Sequence, residues 1–477
     1  MLISRAVAFV MLPVYTRYLT PGDYGTLQLI GVTVEVISII AGSRLGAGIF
    51  HFYHKTDDPQ RRREVLASAL VLMVATYALV SIATFAAAAP LARLVFGPEN
   101  DPTLIRLGAA ILGFESLLMV PMAYIQVRER SGLFVAINTG KLLLQLSLNI
   151  LFVVVMQIGV KGPLYSTLIS YVIVGAGVTV MLVRDVGLSV SRAAARDLLR
   201  FGVPFVATQV GSFICTYGDR FFLARATNVG AVGIYGLAYQ FGFLLHYVGL
   251  APFQGGWDPI RFEIARRDDR DELYARGFVY FNLVYITTAV GMALYVHDFI
   301  RVMSNPSFHS AADIVPVILL AYVIHGWTEQ TQLGLMVAEK TDRIAWANWG
   351  GAIVALAAYA LLIPTYSGMG AAIATVIAFG ARQWMVYVMA QRLWPVRYRW
   401  APVIKQLSLA ILIVAVALML PRYDLLLSLA TRTVLLAIYG VAVWFGILSD
   451  ADRRFVRGML RDYRNWFPIR PRQTANG

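Results

Sequence analysis

The chain has 477 residues, 58% of them hydrophobic and 14% charged, where a soluble protein carries about 25% charged residues. A net charge of +14 would point to nucleic acid in a soluble protein; here the basic residues crowd into the connections between apolar runs, where they orient a membrane protein, and no nucleic-acid partner is expected. One cysteine, Cys215, excludes an intrachain disulfide and a thiolate metal cluster, and the six histidines are scattered without ligand spacing.

Apolar runs of about 18–25 residues recur from end to end, each long enough to cross a bilayer as a helix. The alternating ten-residue segments of a membrane β-barrel are absent. Fourteen helical spans are predicted, at roughly 1–18, 26–50, 64–88, 104–127, 133–156, 162–183, 203–225, 232–252, 277–297, 311–338, 343–363, 369–390, 405–421 and 425–448. Connections are short; the longest, 253–276, covers about two dozen residues, and no extramembrane domain is expected.

The first span is short and carries Arg5. At about 1.5 Å per residue it reaches roughly 27 Å, barely the hydrocarbon thickness. Either Arg5 snorkels to the surface or the start lies upstream. No basic n-region or small-residue cleavage site marks a signal peptide. In the second span Glu35 and Ser38 share a face. Arg44, nine residues past Glu35, falls on the opposite face, so one of the two pairs within the protein or the helix kinks near Gly42.

Glu115 interrupts the fourth span. In the fifth, Asn138, Lys141, Gln145 and Asn149 are spaced 3, 4 and 4 and stack along one face. The seventh does likewise with Gln209, Ser212, Thr216 and Asp219, and Arg220 stands beside them. Glu329 lies in the tenth span and Arg382 in the twelfth. The tail from Asp450 is basic, with spaced aromatics; it reads as a solvated positive-inside tail or as a surface helix on anionic lipid.

Counting Lys and Arg sets the orientation. With the N-terminus inside, the cytoplasmic segments carry 28 of the 41, the opposite side 8, and five lie within spans. Both ends are therefore expected in the cytoplasm. The in-span cations are Arg5, Arg44, Lys141, Arg220 and Arg382. Each costs about 2.5–3.5 kcal/mol if it faces lipid, so a wet lumen or a partner is the cheaper arrangement. The structural alternative for each is an interhelical ion pair or snorkelling at a span end. Guanidinium groups suit phosphate oxygens, so the excess of cations suits an anionic head group.

A shift of 208 residues superposes Arg17 on Arg225, Gly25 on Gly233, Gly162 on Gly370 and Thr167 on Thr375. That offset equals six spans, so the repeat is parallel, about an axis along the membrane normal. The expected organisation is a lobe at 1–200, a second at 201–392, and two further helices with a basic tail at 393–477.

Two stretches carry a family resemblance. "LPVYTRYLTPGDYG", with Thr16, Arg17, Leu19, Tyr24 and Gly25, and "DRFFLARATNVGAVGIYGLAYQF", with Asp219, Arg220, Leu223, Gly233, Tyr235, Ala238 and Tyr239, resemble the Wzx-like polysaccharide-repeat flippases (O-antigen and capsule) of the MOP exporter superfamily. The opening "SRAVAF" is similar to the first helix of that family and of the related lipid II flippases, where an arginine in this place is implicated in head-group handling; that carries over to Arg5.

The resemblance implies an all-α, two-lobed, V-shaped bundle in the bacterial cytoplasmic membrane. It would move undecaprenyl-pyrophosphate-linked oligosaccharides between leaflets by alternating access. The implied partners are the lipid-linked substrate, membrane lipids and the polysaccharide polymerase machinery. A monomer is expected, without cofactor, metal or catalytic residues.

The substrate-binding candidates are Arg5, Arg44, Lys141, Arg220, Arg382, Asn138, Gln145 and Gln209. The ion-coupling candidates are Glu35, Glu115 and Asp219. Lys141→Ala or Arg220→Ala is expected to lower transport without lowering membrane abundance. A cation-coupled multidrug exporter would share the architecture but need acids at its centre. A membrane-embedded polysaccharide enzyme would need a long outer loop, and the connections are too short.

Overall fold

The computed structural model describes residues 11–42, 45–97, 101–421 and 424–461. Among them it is all helix and turn, with no strand. Numbered in chain order, α1 is Leu12–Tyr18, α2 Pro21–Ala41 and α3 Pro59–Ala86. Next come α4, Pro102–Val127, α5, Ser131–Val155 and α6, Lys161–Val186. The second half runs through α7, Arg192–Tyr217, α8, Val229–Ile264, α9, Arg270–Met303 and α10, Ala311–Thr331. The Asp342–Leu393 helix breaks at Ser367 (φ 50°, ψ −130°) into α11 (342–366) and α12 (368–393). Last are α13, Trp400–Met419, α14, Leu425–Ile447, and α15, Asp450–Arg461.

Among the described residues, twelve continuous helices are long and apolar enough to cross a membrane. The Ser367 break divides one of them in two: Gly350 and Gly351 pack against Met385 and Arg382, so the chain doubles back on itself. Most of the first expected span, with Arg5, lies outside the described residues.

Helices begin well before the apolar runs that marked them, because capping sequences start them. Thr20 and Asp23 form a capping box, with Pro21 in the first turn. Asp58 and Asp101 each accept a backbone N–H, from Gln60 at 3.0 Å and Thr103 at 2.9 Å, again with proline following. The longest expected connection is shorter than the sequence indicated. Helix α8 runs on to Ile264, because Trp257 packs edge-on to Tyr274 and Tyr274 donates to the Arg261 carbonyl. The kink near Gly42 is present: α2 ends there, at φ 102°, and a helix resumes over Leu45–His54.

The halves meet chiefly through α2 and α8. Gly25 sits against the backbone of Val229 and Gly233, and Gly233 against that of Pro21 and Gly25. These contacts exchange under the 208-residue offset, since Pro21 corresponds to Val229 and Gly25 to Gly233. Nearby, Asn305 N donates to the Thr16 carbonyl at 3.4 Å and the Thr16 hydroxyl to the Met303 carbonyl at 3.4 Å. Both contacts lie at the end of the bundle with few basic residues, here the low-charge end.

Helix α7 is one helix across the expected boundary at 200. Its first half packs on α3 and on Leu45–His54: Ser68 Oγ accepts from Ser191 N at 2.9 Å, and the Phe201 and His51 rings stack at 5.0 Å. Its second half packs on α11, where Cys215 Sγ donates to the Asn348 carbonyl at 3.7 Å.

Candidate functional site

Among the described residues, the in-span charges singled out from the sequence fall into three clusters. The first lies in the first half. Glu35 and Ser38 project from α2, a helical turn apart. Ser38 Oγ is 2.9 Å from Tyr77 Oη on α3. Glu115 on α4 lies within electrostatic reach of Glu35, Ser38 and Lys141 on α5, and it forms no ion pair with Lys141 among the described residues. Lys141 is half-buried, and its Nζ stands 4.8 Å from the Tyr171 ring centroid on α6. Five helices thus contribute to one group of two carboxylates and an ammonium. Glu35 is exposed in the protein and Glu115 and Lys141 are half-buried. On the Lys141 stripe, Gln145 Nε2 donates to Thr167 at 2.9 Å and Asn138 to the Phe134 carbonyl at 2.9 Å.

The second cluster is sealed. Arg220 donates to Asp219 at 2.8 Å, and the two side chains are 1% and 0% exposed. Asp219 also accepts from Tyr235 and, at 3.4 Å, from Thr375 on α12. The guanidinium sits 4.2 Å from the Tyr239 ring centroid and 5.1 Å from that of Tyr217, a cation–π cage. Its remaining strong donor contact is the Thr216 carbonyl at 3.0 Å. A fully buried ion pair needs its leftover donors and acceptors engaged: Tyr235 engages the second oxygen of Asp219, while Arg220 Nε has no hydrogen-bond partner among the described residues. Beyond Asp219 and Thr216 the guanidinium has the tyrosine rings around it.

The third cluster lies in the second half. Glu329 on α10 accepts from Gln332 at 2.7 Å and Gln254 at 3.3 Å, and Arg382 approaches it at 3.9 Å. Arg382 is 6% exposed, and its Nε has no hydrogen-bond partner among the described residues. Gln209 is half-buried on α7. Arg5 and Arg44 lie outside the described residues.

The fold therefore brings Glu35, Glu115 and Lys141 together and pairs Asp219 with Arg220. It keeps Lys141, Arg220 and Arg382 in separate clusters. The tyrosine cage was not assigned from sequence, although Tyr235 and Tyr239, four residues apart on one helix face, were its signal. Of the amide partners of Glu329, Gln332 lies three residues on, a spacing the sequence offered, whereas Gln254 comes from another helix and carried no signal.

Comparison with known proteins agrees with this architecture. The structure is similar to the lipid II flippase MurJ in its inward closed conformation (TM-score 0.76, 12% identity, covering 96% of this chain and 98% of that one). It is also similar to an inward-facing multidrug-resistance MATE transporter of the MOP superfamily (TM-score 0.63, 16% identity, 84% and 96% covered). Among curated sequences, 170 residues are 22% identical to the EPS I polysaccharide export inner membrane protein EpsE of Ralstonia nicotianae, spanning 36% of this chain and 37% of that relative. The fold is that of the MOP-superfamily transporters. Residues 1–264 match the family described as polysaccharide biosynthesis protein, more than half of the chain, and the protein is a multi-pass membrane member of that family.

Proposed function

We propose that the protein moves a polyprenyl-pyrophosphate-linked oligosaccharide across the cytoplasmic membrane by alternating access, with both termini cytoplasmic. The observation that carries this reading is the half-exposed Glu35–Glu115–Lys141 cluster, built from five helices at membrane depth. Charges at that depth are costly unless they meet a partner or a polar cargo. Family membership and the MurJ-like fold favour a lipid-linked saccharide as cargo over a drug.

In this reading residues 1–200 and 201–392 act as two lobes, with 393–477 as an appendage. The low-charge end faces outward, and the Gly25–Gly233 contact closes it. The head group reaches Lys141 from the cytoplasmic side while the lipid chain stays in the bilayer. The lobes then rock about the α2–α8 contact and open outward. Glu35 and Glu115, carboxylates on the neighbouring helices α2 and α4, are the ion-coupling candidates.

The test is reconstitution of the full chain in liposomes with a lipid-linked oligosaccharide, scoring sugar accessible on the far face. Wild-type transfer with a drop of at least about tenfold in Lys141→Gln, at equal protein, supports the reading. Equal transfer by both proteins refutes the role of the cluster.

A further inference from the structure

At the low-charge end, α9, α10, α13 and α14 frame a cleft of about 520 Å³. His297, Asp298 and Arg301 line it from α9, His309 and Asp313 from the start of α10, and Ser428 and Arg432 from α14. Deeper along α9, α10 and α13 lies a groove of about 230 Å³ walled by aliphatic side chains. Leu418 lines both, so the two form one trough.

The lining changes from polar to apolar along α9 and α10. On α9, residues 286, 290, 293, 297 and 301 follow one another at helical spacing on a single face; the first three line the groove and the last two the cleft. On α10 the change falls between Asp313 and Pro316. Pro316 cannot donate to the Ala312 carbonyl, which loosens the helix where the two parts join. Helix α13 gives only apolar residues to either part: Ala415 lines the groove, Ala417 the cleft, and Leu418 both.

The acids of the cleft are engaged, whereas its two arginines have no carboxylate partner among the described residues. Asp298 accepts from Ser428 at 2.8 Å, and Asp313 pairs with His297 at 2.9 Å. Arg432 is 8% exposed and donates to the Ala417 carbonyl, while its Nε has no partner. Neither Arg432 nor Arg301 forms an ion pair among the described residues. His309 Nε2 is also buried without a partner. Such a set of donors suits phosphate oxygens. The groove runs along α13 from Leu407 to Leu418; eleven residues at 1.5 Å give about 16 Å. That is half of a hydrocarbon core of about 30 Å, the depth of one leaflet.

We propose that this trough binds an anionic phospholipid of the leaflet at the low-charge end, with its phosphate at Arg432 and Arg301 and one acyl chain in the groove between α9, α10 and α13. The walled length matches an acyl chain and not a polyprenyl chain several times longer. The bound lipid bridges α9–α10 and α13–α14, and so holds the last two helices on the second half. The inference rests on these helices alone, whatever cargo the protein carries.

The test uses the purified full chain in detergent with dioleoyl phosphatidylglycerol, dioleoyl phosphatidylcholine or undecaprenyl phosphate, read by native mass spectrometry. Phosphatidylglycerol should be retained about fivefold over phosphatidylcholine, and Arg432→Gln should bring it down to the phosphatidylcholine level. Ala415→Phe fills the groove with both arginines intact and should lower retention of both phospholipids. If Arg432→Gln does not fold, Arg301→Gln, on an exposed side chain, should halve the preference or more, to about twofold or less. The proposal fails if the two phospholipids are retained equally by the wild-type chain. It fails too if the variants retain phosphatidylglycerol unchanged, or if equimolar undecaprenyl phosphate displaces it.

Discussion

The backbones of Gly25 and Gly233 touch with no room for a side chain on either. A Cβ on Gly25 would lie 1.9 Å from the Val229 carbonyl oxygen, and one on Gly233 would lie 2.0 Å from that of Pro21. The helices that carry them, α2 and α8, start at capped N-termini, Thr20 and Asn228, which fixes the register at which the glycines meet. The contact is the point at which the two halves close at the low-charge end.

Gly25→Ala or Gly233→Ala should therefore open that end. Overpacking costs about 1–3 kcal/mol, a shift of about 5- to 150-fold in the closed-to-open ratio. The check is the labelling rate of a cysteine placed at Gln28, beside Gly236, by a membrane-impermeant maleimide, in a chain with Cys215 replaced. An unchanged rate at equal abundance would show that the contact does not set the conformation.

Asp219→Ala leaves Arg220 buried without its counter-ion. Breaking such a pair costs about 3–5 kcal/mol, so the protein should lose abundance and melt earlier in detergent. The reciprocal Arg220→Ala should do the same, which revises the expectation that it would spare membrane abundance: the residue is caged, not open to a lumen. The double change Asp219→Leu with Arg220→Met should recover much of the stability, measured by fluorescence-detected thermal melting.

Glu115→Gln removes a charge from the cluster with Glu35 and Lys141 and adds no bulk. Transport should fall at least about tenfold, with melting temperature changed little because the cluster is only half-buried. Glu329→Gln, in the second-half cluster held by two glutamine amides, should lower stability instead. Comparing transport and melting for both variants separates the two roles.

Asp452 anchors α15. It lies among Tyr280 (3.2 Å), Ser449 and Arg399 (3.5 Å). Burial pushes its carboxyl up, but the Ser449 hydrogen bonds and Arg399 outweigh that and hold it below the ordinary 3.8. A depressed acid stabilises the docked helix fully above the unfolded value and loses that contribution as pH falls through the lower, folded one. Docking should thus be constant from pH 8 to 5 and weaken only below about pH 4. Asp452→Asn should expose Arg453 and Arg454 to trypsin at neutral pH. Equal cleavage of wild type and variant would remove Asp452 as the anchor.

Much of the fold was legible because lipid imposes it. Apolar runs of membrane length report a local constraint that no tertiary contact can override, whereas the T-P-G-D and D-P caps, which set the helix starts, were not read from the sequence. The 208-residue offset was legible for a related reason: Gly25 and Gly233 have to be glycine, so the repeat left a mark at the two positions where backbones touch. Other elements escaped. The continuation of α8 to Ile264 depends on Trp257 meeting Tyr274, and no local pattern records that.

The sequence by itself determined the class of the molecule, the positions of its helices and the list of charges that had to be explained, since a charge in an apolar run is costly wherever it points. Only the tertiary structure decided what each charge does. Lys141, Arg220 and Arg382 are alike in one dimension, each a cation in an apolar run. In three dimensions one joins two half-exposed carboxylates, one is caged by tyrosines against its own neighbour, and one leans on a glutamate held by amides. Electrostatic energy depends on distance and surroundings, and those come from helices scores of residues apart in the chain.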